Sequence, residues 1–354
     1  MKILVVNPGS TSTKMGLYDG KVSVFEHTLR HKTEELAPFA RVSDQYNFRM
    51  EVIESELAAR GVKMDELAAV VGMGGLLSPL SGGTYLVNDV MRDDLASGKF
   101  GEHASNLGGL IARAMADKVG IPSYIVDPVV VDEMEEVFRI SGHPEVPRRS
   151  VFHALNQKAT ARIYCAENGK KYDEVNLVVV HMGGGISVSL HSKGRTIDTN
   201  NALAGCGPFT PERAGGLPIG DTVALAFSGK YSHDDLNKML VGKGGMNAYF
   251  NTNDMMEIER RAETEADVKL VLNAMCLQIA KNIAEMAVGV CGQIDAIILT
   301  GGIAHGKPIT DEIARRVGFI APVHVYPGED EIAALAGGAR RVLSGEEQVM
   351  IYEG

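Results

Sequence analysis

One stretch of the sequence decides the fold: Lys2-Ile-Leu-Val-Val-Asn7-Pro-Gly9-Ser10-Thr-Ser12-Thr-Lys14-Met-Gly-Leu-Tyr18-Asp-Gly20. Residues 3–6 are apolar, partly β-branched and too few for a helix, which indicates a buried strand. Pro8 and Gly9 end that strand, and a second strand follows as far as the turn at Asp19-Gly20. The stretch therefore predicts a β-hairpin whose tip carries hydroxyl side chains.

The tip of this hairpin has the groups that bind phosphate. Backbone N–H groups in a glycine-containing turn attract anions, the hydroxyls of Ser10 and Ser12 add hydrogen bonds, and Lys14 supplies a positive charge. The tip is not a Walker loop, because that motif requires Gly-x4-Gly-Lys-Ser/Thr leading into a helix. An ordinary polar hairpin is the alternative interpretation.

Length and composition narrow the class of protein. The 354 residues are enough for two domains with separate cores. The formal net charge of -10 argues against binding to nucleic acid or to an anionic membrane surface. The opening strand does not resemble a leader, and no apolar run approaches the roughly 20 residues of a membrane span, so we expect a cytosolic protein. The wide spacing of the cysteines in apolar contexts predicts buried reduced thiols at Cys165, Cys206, Cys276 and Cys291.

Three further predicted strands run directly into glycine turns. They cover residues 68–71, 177–181 and 295–300, and the turns that follow are Gly72-Met73-Gly74-Gly75, Gly183-Gly184-Gly185 and Gly301-Gly302-Ile303. The second junction repeats the opening hairpin, which suggests two related domains facing one cleft. At the third junction, the absence of side chains would let a flat ring approach the backbone.

Single polar residues stand at comparable positions. Asp127 follows a predicted strand at 123–126, where open α/β sheets place ligand chemistry, although a capping role is the alternative. His181 could be a core histidine, but its place before the triple glycine favours contact with a ligand. Arg213 lies in a loop rich in glycine and proline, and such loops often serve a site.

Two predictions concern the second half of the chain. The apolar stripe of a long helix at 265–290 is expected to be core rather than a cofactor site. Glu329, Asp330 and Glu331 are expected to open a helix at 332–343, with their charges favourably placed at its N-terminus. The last ten residues are expected to be frayed.

Taken together, the two glycine-tipped hairpins and the late strand-Gly-Gly junction resemble the actin, Hsp70 and sugar kinase superfamily. Within it, Asn7-Pro-Gly-Ser-Thr-Ser-Thr-Lys14 is similar to the acetate kinase family, especially its butyrate kinases. The resemblance covers almost the whole chain, because the following motifs occur in family order: Phe152-His153, His181-Met-Gly-Gly-Gly185, Asn253-Asp254 and Thr300-Gly-Gly-Ile303. It implies an α/β fold of two ribonuclease H-like domains around a cleft, covering residues 1–126 plus 329–354 and residues 127–328.

The resemblance also implies roles for individual residues. Catalytic roles fall on Asp127, His153, His181 and Arg213. Substrate binding falls on Asn7, Met73 and His103. Nucleotide binding falls on Ser10, Ser12, Lys14, Gly183, Gly184, Gly185, Asp254, Gly301, Gly302 and Ile303. Asp127 and Glu329 are the carboxylates linked to Mg²⁺.

The resemblance implies a reversible, ATP-dependent phosphorylation of a short-chain carboxylate such as butyrate or a branched acid. The phosphoryl group is expected to pass directly, by in-line transfer, with the help of Mg²⁺. The resemblance also implies a homodimer or an assembly of dimers. Acetate kinases carry an arginine in the turn at Met73 and another near Pro218, and both are absent here. Arg213 could supply the missing charge, and the apolar Met73 favours an alkyl tail. A sugar kinase using Asp127 as a base, or an ATPase module like Hsp70 or actin, are the alternatives.

Overall fold

The computed structural model describes residues 1–203 and 206–354, which divide into two compact units. Unit 1 is Met1–Val131 with Asp330–Gly354, and unit 2 is Asp132–Glu329. The expected ranges put Asp127 in the second domain and Glu329 in the first, whereas the structure has Asp127 in unit 1 and Glu329 in unit 2. None of the helices in this described part of the chain has the length and apolar character needed to cross a membrane.

The strands and helices are numbered in chain order. The strands are β1 (Lys2–Pro8), β2 (Ser12–Asp19), β3 (Val22–Arg30), β4 (Leu67–Gly72), β5 (Thr84–Leu86), β6 (Ser123–Val126), β7 (Asn176–Met182), β8 (Ile186–Ser192), β9 (Arg195–Thr199), β10 (Ala296–Gly301), β11 (Val323–Pro327) and β12 (Met350–Ile351). The α-helices are α1 (Thr33–Leu36), α2 (Tyr46–Ala59), α3 (Asp89–Ser97), α4 (Asn106–Asp117), α5 (Glu136–Arg139), α6 (Ala154–Glu167), α7 (Ile219–Ala226), α8 (His233–Leu240), α9 (Gly245–Phe250), α10 (Met255–Ala262), α11 (Ala266–Val288), α12 (Lys307–Val317) and α13 (Glu331–Leu343). Short 3-10 helices cover Val42–Gln45, Met64–Glu66, Tyr172–Glu174 and Gly302–His305.

The sheet of unit 1 has the strand order β12-β5-β6-β4-β1-β2-β3. The first strand, β1, lies inside this sheet, antiparallel to β2 and parallel to β4. Leu4 and Val6 pack with Ile53 of α2 and Ile111 of α4, and α13 also contacts β1. Because helices cover this strand on both faces, its sequence is a continuous apolar run. The antiparallel pairing of β1 with β2 confirms the predicted hairpin.

The sheet of unit 2 has the order β11-β10-β7-β8-β9, with β7 antiparallel to β8 and parallel to β10. The predicted apolar stripe of α11 is confirmed as core, because each of its members is buried: Val268, Leu272, Met275, Ile279, Ile283 and Met286. Both units therefore place an antiparallel three-stranded segment beside a parallel strand, and the hairpin predicted at the start of the chain recurs in unit 2.

Two expectations are wrong. The segment after α13 is not frayed, because β12 pairs with β5 and the hydroxyl of the buried Tyr352 donates to Asp94 Oδ2 at 3.0 Å. A strand of two residues is too short to show an alternating pattern, and the residues that hold it, in β5 and at Asp94, are distant in the sequence. Cys206 and Cys291 are exposed rather than buried, since both lie in turns, whereas Cys165 and Cys276 are buried.

Candidate active site

In unit 1, three predicted site residues follow neighbouring strands. Asn7 lies near the end of β1, the Met73 N–H donates to Val6 O at 2.9 Å, and Asp127 follows β6. Because β1, β4 and β6 are parallel, their carboxyl ends meet at one edge of the sheet. Asp127 is buried with φ of 38°, and its Oδ1 accepts a hydrogen bond from the Gly83 N–H at 2.7 Å. The backbone conformation of Asp127 is one that non-glycine residues adopt rarely and that occurs often at functional sites.

The hairpin tip contains a contact that the sequence did not reveal. The Asn7 side-chain amide donates to Glu331 Oε2 at 2.7 Å, and Lys14 Nζ lies 3.7 Å from the same oxygen. Ser10 is exposed and Ser12 half-buried. A carboxylate thus contacts two of the residues that are expected to bind anionic ligands.

His103 lies three residues before Asn106, where α4 begins. Its Nδ1 accepts from the Ser105 N–H at 3.2 Å and contacts Ser105 Oγ at 2.8 Å. The ring therefore helps to shape the start of the helix. It is exposed, which leaves its other edge accessible to a ligand.

In unit 2, a second set of site residues stands at the carboxyl ends of parallel strands. His181 pairs in register with Thr300 of β10, and Gly301 follows directly. Gly301 has φ of 89° and its Cα approaches the Met182 backbone, so a side chain there would be strained and would clash. Gly301 exchanges backbone hydrogen bonds with Gly328, and Glu329 comes next. His181, Gly301 and Glu329 are thereby brought to one edge.

Two histidine rings stack at this edge. The His153 and His181 centroids are 3.8 Å apart with an interplanar angle of 14°. His181 Nδ1 donates to Asn156 Oδ1 at 2.8 Å, and its Nε2 lies 3.6 Å from Glu329 Oε2. His153 Nδ1 is 2.8 Å from Ser187 Oγ, which also accepts from Gln157 Nε2 at 2.7 Å. Ser187 Oγ also accepts from the His153 backbone N–H at 3.4 Å, so both of its lone pairs are used and its hydroxyl proton goes to His153 Nδ1, which leaves the neutral His153 ring with a proton on Nε2.

The triple-glycine turn brings Arg213 to the histidines. A methyl group on Gly185 would overlap Arg213 Nη1 and would lie 3.3 Å from His153 Cε1, so this close approach requires glycine. Thr210 holds the loop in place, because its hydroxyl donates to Gly184 O at 2.7 Å. Arg213 Nη1 donates to Ala202 O, while its buried Nε has no partner among the described residues. This guanidinium is desolvated yet incompletely bonded.

The remaining predicted residues of unit 2 have separate local surroundings. Asp254 accepts from the Met256 N–H at 2.9 Å as the N-cap of α10, and the neighbouring Asn253 donates to Glu212. Gly302 has open space where a side chain would stand, which suits the approach of a flat ring. Ile303 is buried in the hydrophobic core of unit 2. Gly205, in the glycine- and proline-rich segment that precedes Arg213, lies outside the described residues.

Burial sets the protonation of the histidine pair. It lowers the pKa of His153 to about 4, with a further contribution from Arg213, and it lowers the pKa of His181 well below the usual range, with a contribution from His153. Both rings are therefore neutral at pH 7. Neither ring carries a charge, but His153 can donate a hydrogen bond from Nε2 and His181 can accept one at Nε2.

The low pKa of His153 makes stability depend on pH. Between pH 6.5 and 4 the unfolded chain binds a proton at this residue that the folded protein does not, so unfolding becomes easier as the pH falls. We expect His153 to account for a loss of up to about 3 kcal/mol between pH 7 and pH 4, measured by urea unfolding. His153→Gln should flatten this dependence. The matched change at the exposed His143 should not, and equal slopes in both variants would contradict the assignment.

Four residues that hold the site were not predicted: Arg49, Asn156, Ser187 and Glu331. Arg49 is fully buried and donates to the Ser10 and Ser12 carbonyls, while the others contact His181, His153 and Asn7. Ser187 follows the triple glycine and Asn156 follows His153 by three positions, so nearness to motif residues was the available signal. No such signal marked Arg49.

Comparisons with known proteins agree with this fold and these motifs. A family model described as the Acetokinase family matches residues 144–324. Butyrate kinase 2 of Clostridium acetobutylicum is 51% identical over 353 residues, or 99% of each chain, and butyrate kinase 1 of that organism is 52% identical over 353 residues with the same coverage. The crystal structure of Porphyromonas gingivalis acetate kinase is similar with a TM-score of 0.78 and 17% identity, covering 97% of this chain and 99% of that one. The α/β fold implied by the resemblance is confirmed, and the chain belongs to the acetokinase family.

Proposed function

We propose that the protein is a butyrate kinase that transfers the γ-phosphoryl group of ATP to the carboxylate of a short-chain acid. The observation that carries this proposal is the stacked His153–His181 pair beside Gly185 and Arg213, at the edge where β7 and β10 end. The names of the relatives that are about half identical over nearly the full length support butyrate as the acceptor.

The chemistry needs positioning more than proton transfer. A carboxylate is ionised at pH 7, so one of its oxygens attacks the γ-phosphorus directly, the bond to ADP breaks, and acyl phosphate and ADP leave. Negative charge develops on the transferring oxygens. We assign Arg213 to those oxygens directly, His181 to them through a water held by its unprotonated Nε2, His153 to their orientation through its Nε2–H, and the turn at 183–185 to the ATP phosphates. Asn7, Lys14 and the hydroxyls of Ser10 and Ser12 serve the ligands that bind to unit 1.

Mg²⁺ is the expected cation, and it binds oxygen ligands with only one or two carboxylates because substrate phosphates and water complete its shell. Asp127 and Glu329 each fit that need, the first buried and held by Gly83, the second at the edge beside His181. No cluster of three or more metal-binding side chains occurs within residues 1–203 and 206–354. When bound, the ion neutralises phosphate charge.

Hydroxamate trapping of acyl phosphate tests the proposal. The protein would be incubated with ATP and Mg²⁺ plus acetate, propionate, butyrate, isobutyrate or glucose. Strong product with the four-carbon acids supports a butyrate kinase. Glucose phosphate without hydroxamate would identify a sugar kinase, and ATP consumption without any acceptor would identify an ATPase module.

Met73 is expected to control chain length. Burial of the two extra methylenes of butyrate is worth about 1.6 kcal/mol, so kcat/KM should favour butyrate over acetate by roughly 15-fold. Met73→Arg should reduce that ratio severalfold, because a guanidinium beside the acyl tail is poorly solvated. Met256→Arg is the control, since Met256 is exposed in unit 2. An unchanged ratio in Met73→Arg would remove this residue from the acyl pocket.

A further inference from the structure

Arg49 is an unusual residue in unit 1, because its guanidinium is completely buried. It lies on α2 and donates five hydrogen bonds. Nε and Nη2 donate to Gln45 Oε1 at 3.0 and 2.8 Å, Nη1 to Ser12 O and Thr13 Oγ1 at 2.9 and 3.0 Å, and Nη2 to Ser10 O at 3.2 Å. Every N–H is satisfied, so the side chain has one fixed geometry.

The charge of Arg49, unlike its N–H groups, has no protein partner. The four acceptor atoms of these five hydrogen bonds are neutral, and no carboxylate forms an ion pair with Arg49 in the described ranges. Burial lowers the pKa of the guanidinium to about 10, which still leaves it charged at neutral pH. A buried charge is costly unless an opposite charge compensates it. Because no carboxylate of the described residues lies within ion-pair distance of Arg49, a bound ligand is the expected source of a compensating anion.

The hairpin tip is where such an anion would bind. Its carbonyl oxygens are occupied on the inner side, because Ser10 O and Ser12 O accept from Arg49 and Thr11 O accepts from the His31 N–H at 2.9 Å. The backbone N–H groups of Ser10 and Thr11 have no protein acceptor among the described residues, and both residues are exposed. Arg49 thus directs the donors of the tip outward and places a positive charge behind them.

We propose that Arg49 is a positioning residue whose positive charge, set behind the β1–β2 turn, is neutralised by a phosphate group of the nucleotide or acyl phosphate bound on the outer side. This inference rests on the proposed function, because it takes the turn as a phosphate site. It assigns the role to a residue that touches neither substrate nor reacting atoms. Nucleotide affinity should then depend on whether the protein supplies its own counter-charge.

The test gives Arg49 an internal counter-ion by Gln45→Glu. The change is nearly isosteric, keeps the acceptor for Nε and Nη2, and puts a carboxylate at the N-terminus of α2, where it is favourable. We expect the variant to fold with an unfolding temperature at least equal to that of the parent. Its affinity for Mg·ATP, measured by calorimetry in the full chain, should fall about 10-fold, and KM for ATP should rise more than kcat falls.

Two comparisons make the result decisive. Gln293→Glu adds the same charge at an exposed position of unit 2 and should leave the affinity unchanged. Arg49→Met, where it folds, should also weaken Mg·ATP binding about 10-fold. If the Gln45→Glu variant bound Mg·ATP as tightly as the parent, the inference would be overturned and Arg49 would have only a packing role. Calorimetry requires no turnover, so this outcome is separate from a failure of the parent to form acyl phosphate.

Discussion

Arg213→Met is expected to lower kcat for acyl phosphate formation by about 10³-fold, the scale on which an arginine at a transferring phosphoryl group acts. The guanidinium is desolvated, it stands against Gly185 and His153, and its buried Nε lacks a protein acceptor. Burial lowers its pKa, opposed by Glu212, but an arginine so perturbed stays charged at pH 7. A phosphoryl oxygen is the acceptor that this geometry lacks, so the loss should fall on the transition state.

The measurement is steady-state kinetics with butyrate and ATP, together with the unfolding temperature of each variant. Arg213→Lys should recover only part of the rate, because an ammonium cannot form the same planar pair of bonds. Arg260→Met, at an exposed position of α10, serves as the control. If Arg213→Met kept more than a tenth of the parent kcat, Arg213 would not replace the arginines absent at Met73 and Pro218.

His181→Ala is expected to lower kcat by roughly 10²-fold or more. The substitution removes the ring that stacks on His153 and faces Glu329 Oε2, and it leaves the Asn156 amide without its partner. Since the buried ring is neutral and donates its Nδ1 proton to Asn156, its Nε2 contributes as a hydrogen-bond acceptor that orients a water at the phosphoryl group, rather than as a charge. The kcat effect should therefore exceed any effect on KM for butyrate.

Stability must be separated from catalysis for this buried residue. Circular dichroism and the unfolding temperature would establish that His181→Ala is folded at the assay temperature. His324→Ala, which changes a half-buried histidine in β11, is the matched control and should retain its rate. A near-parental rate in a folded His181→Ala protein would exclude His181 from the mechanism.

The parts of the fold that could be predicted are those encoded by neighbouring residues. The apolar run of β1, the glycine turns after β4, β7 and β10, and the stripe of α11 each have a local pattern with one structural meaning. The same holds for candidate residues placed at strand ends, such as Asp127 and His181. Parallel strands carry such residues to a common edge, as the structure confirms within each unit.

The residues that could not be predicted act across long stretches of chain. Glu331 contacts Asn7 although 324 positions separate them, and Arg49 reaches the hairpin tip from 37 positions away. Contacts over such sequence separations produce no periodic pattern of residues from which they could be predicted. Tyr352 is a further example, because its hydrogen bond to Asp94 spans 258 positions and holds the segment that follows the two-residue strand β12. Contacts of this kind depend on the register of a finished sheet.

The discontinuity of unit 1 has a consequence for biosynthesis. Residues 132–329 are a continuous segment that can condense as it leaves the ribosome, whereas unit 1 includes α13 and β12, which are translated afterwards. Until then β1 lacks the cover of α13 and β5 lacks its outer neighbour. The β1–β2 hairpin is thus translated early and completed late, so the nascent chain exposes an apolar sheet during elongation. Chaperone demand should therefore be concentrated on the half of the protein that is made first.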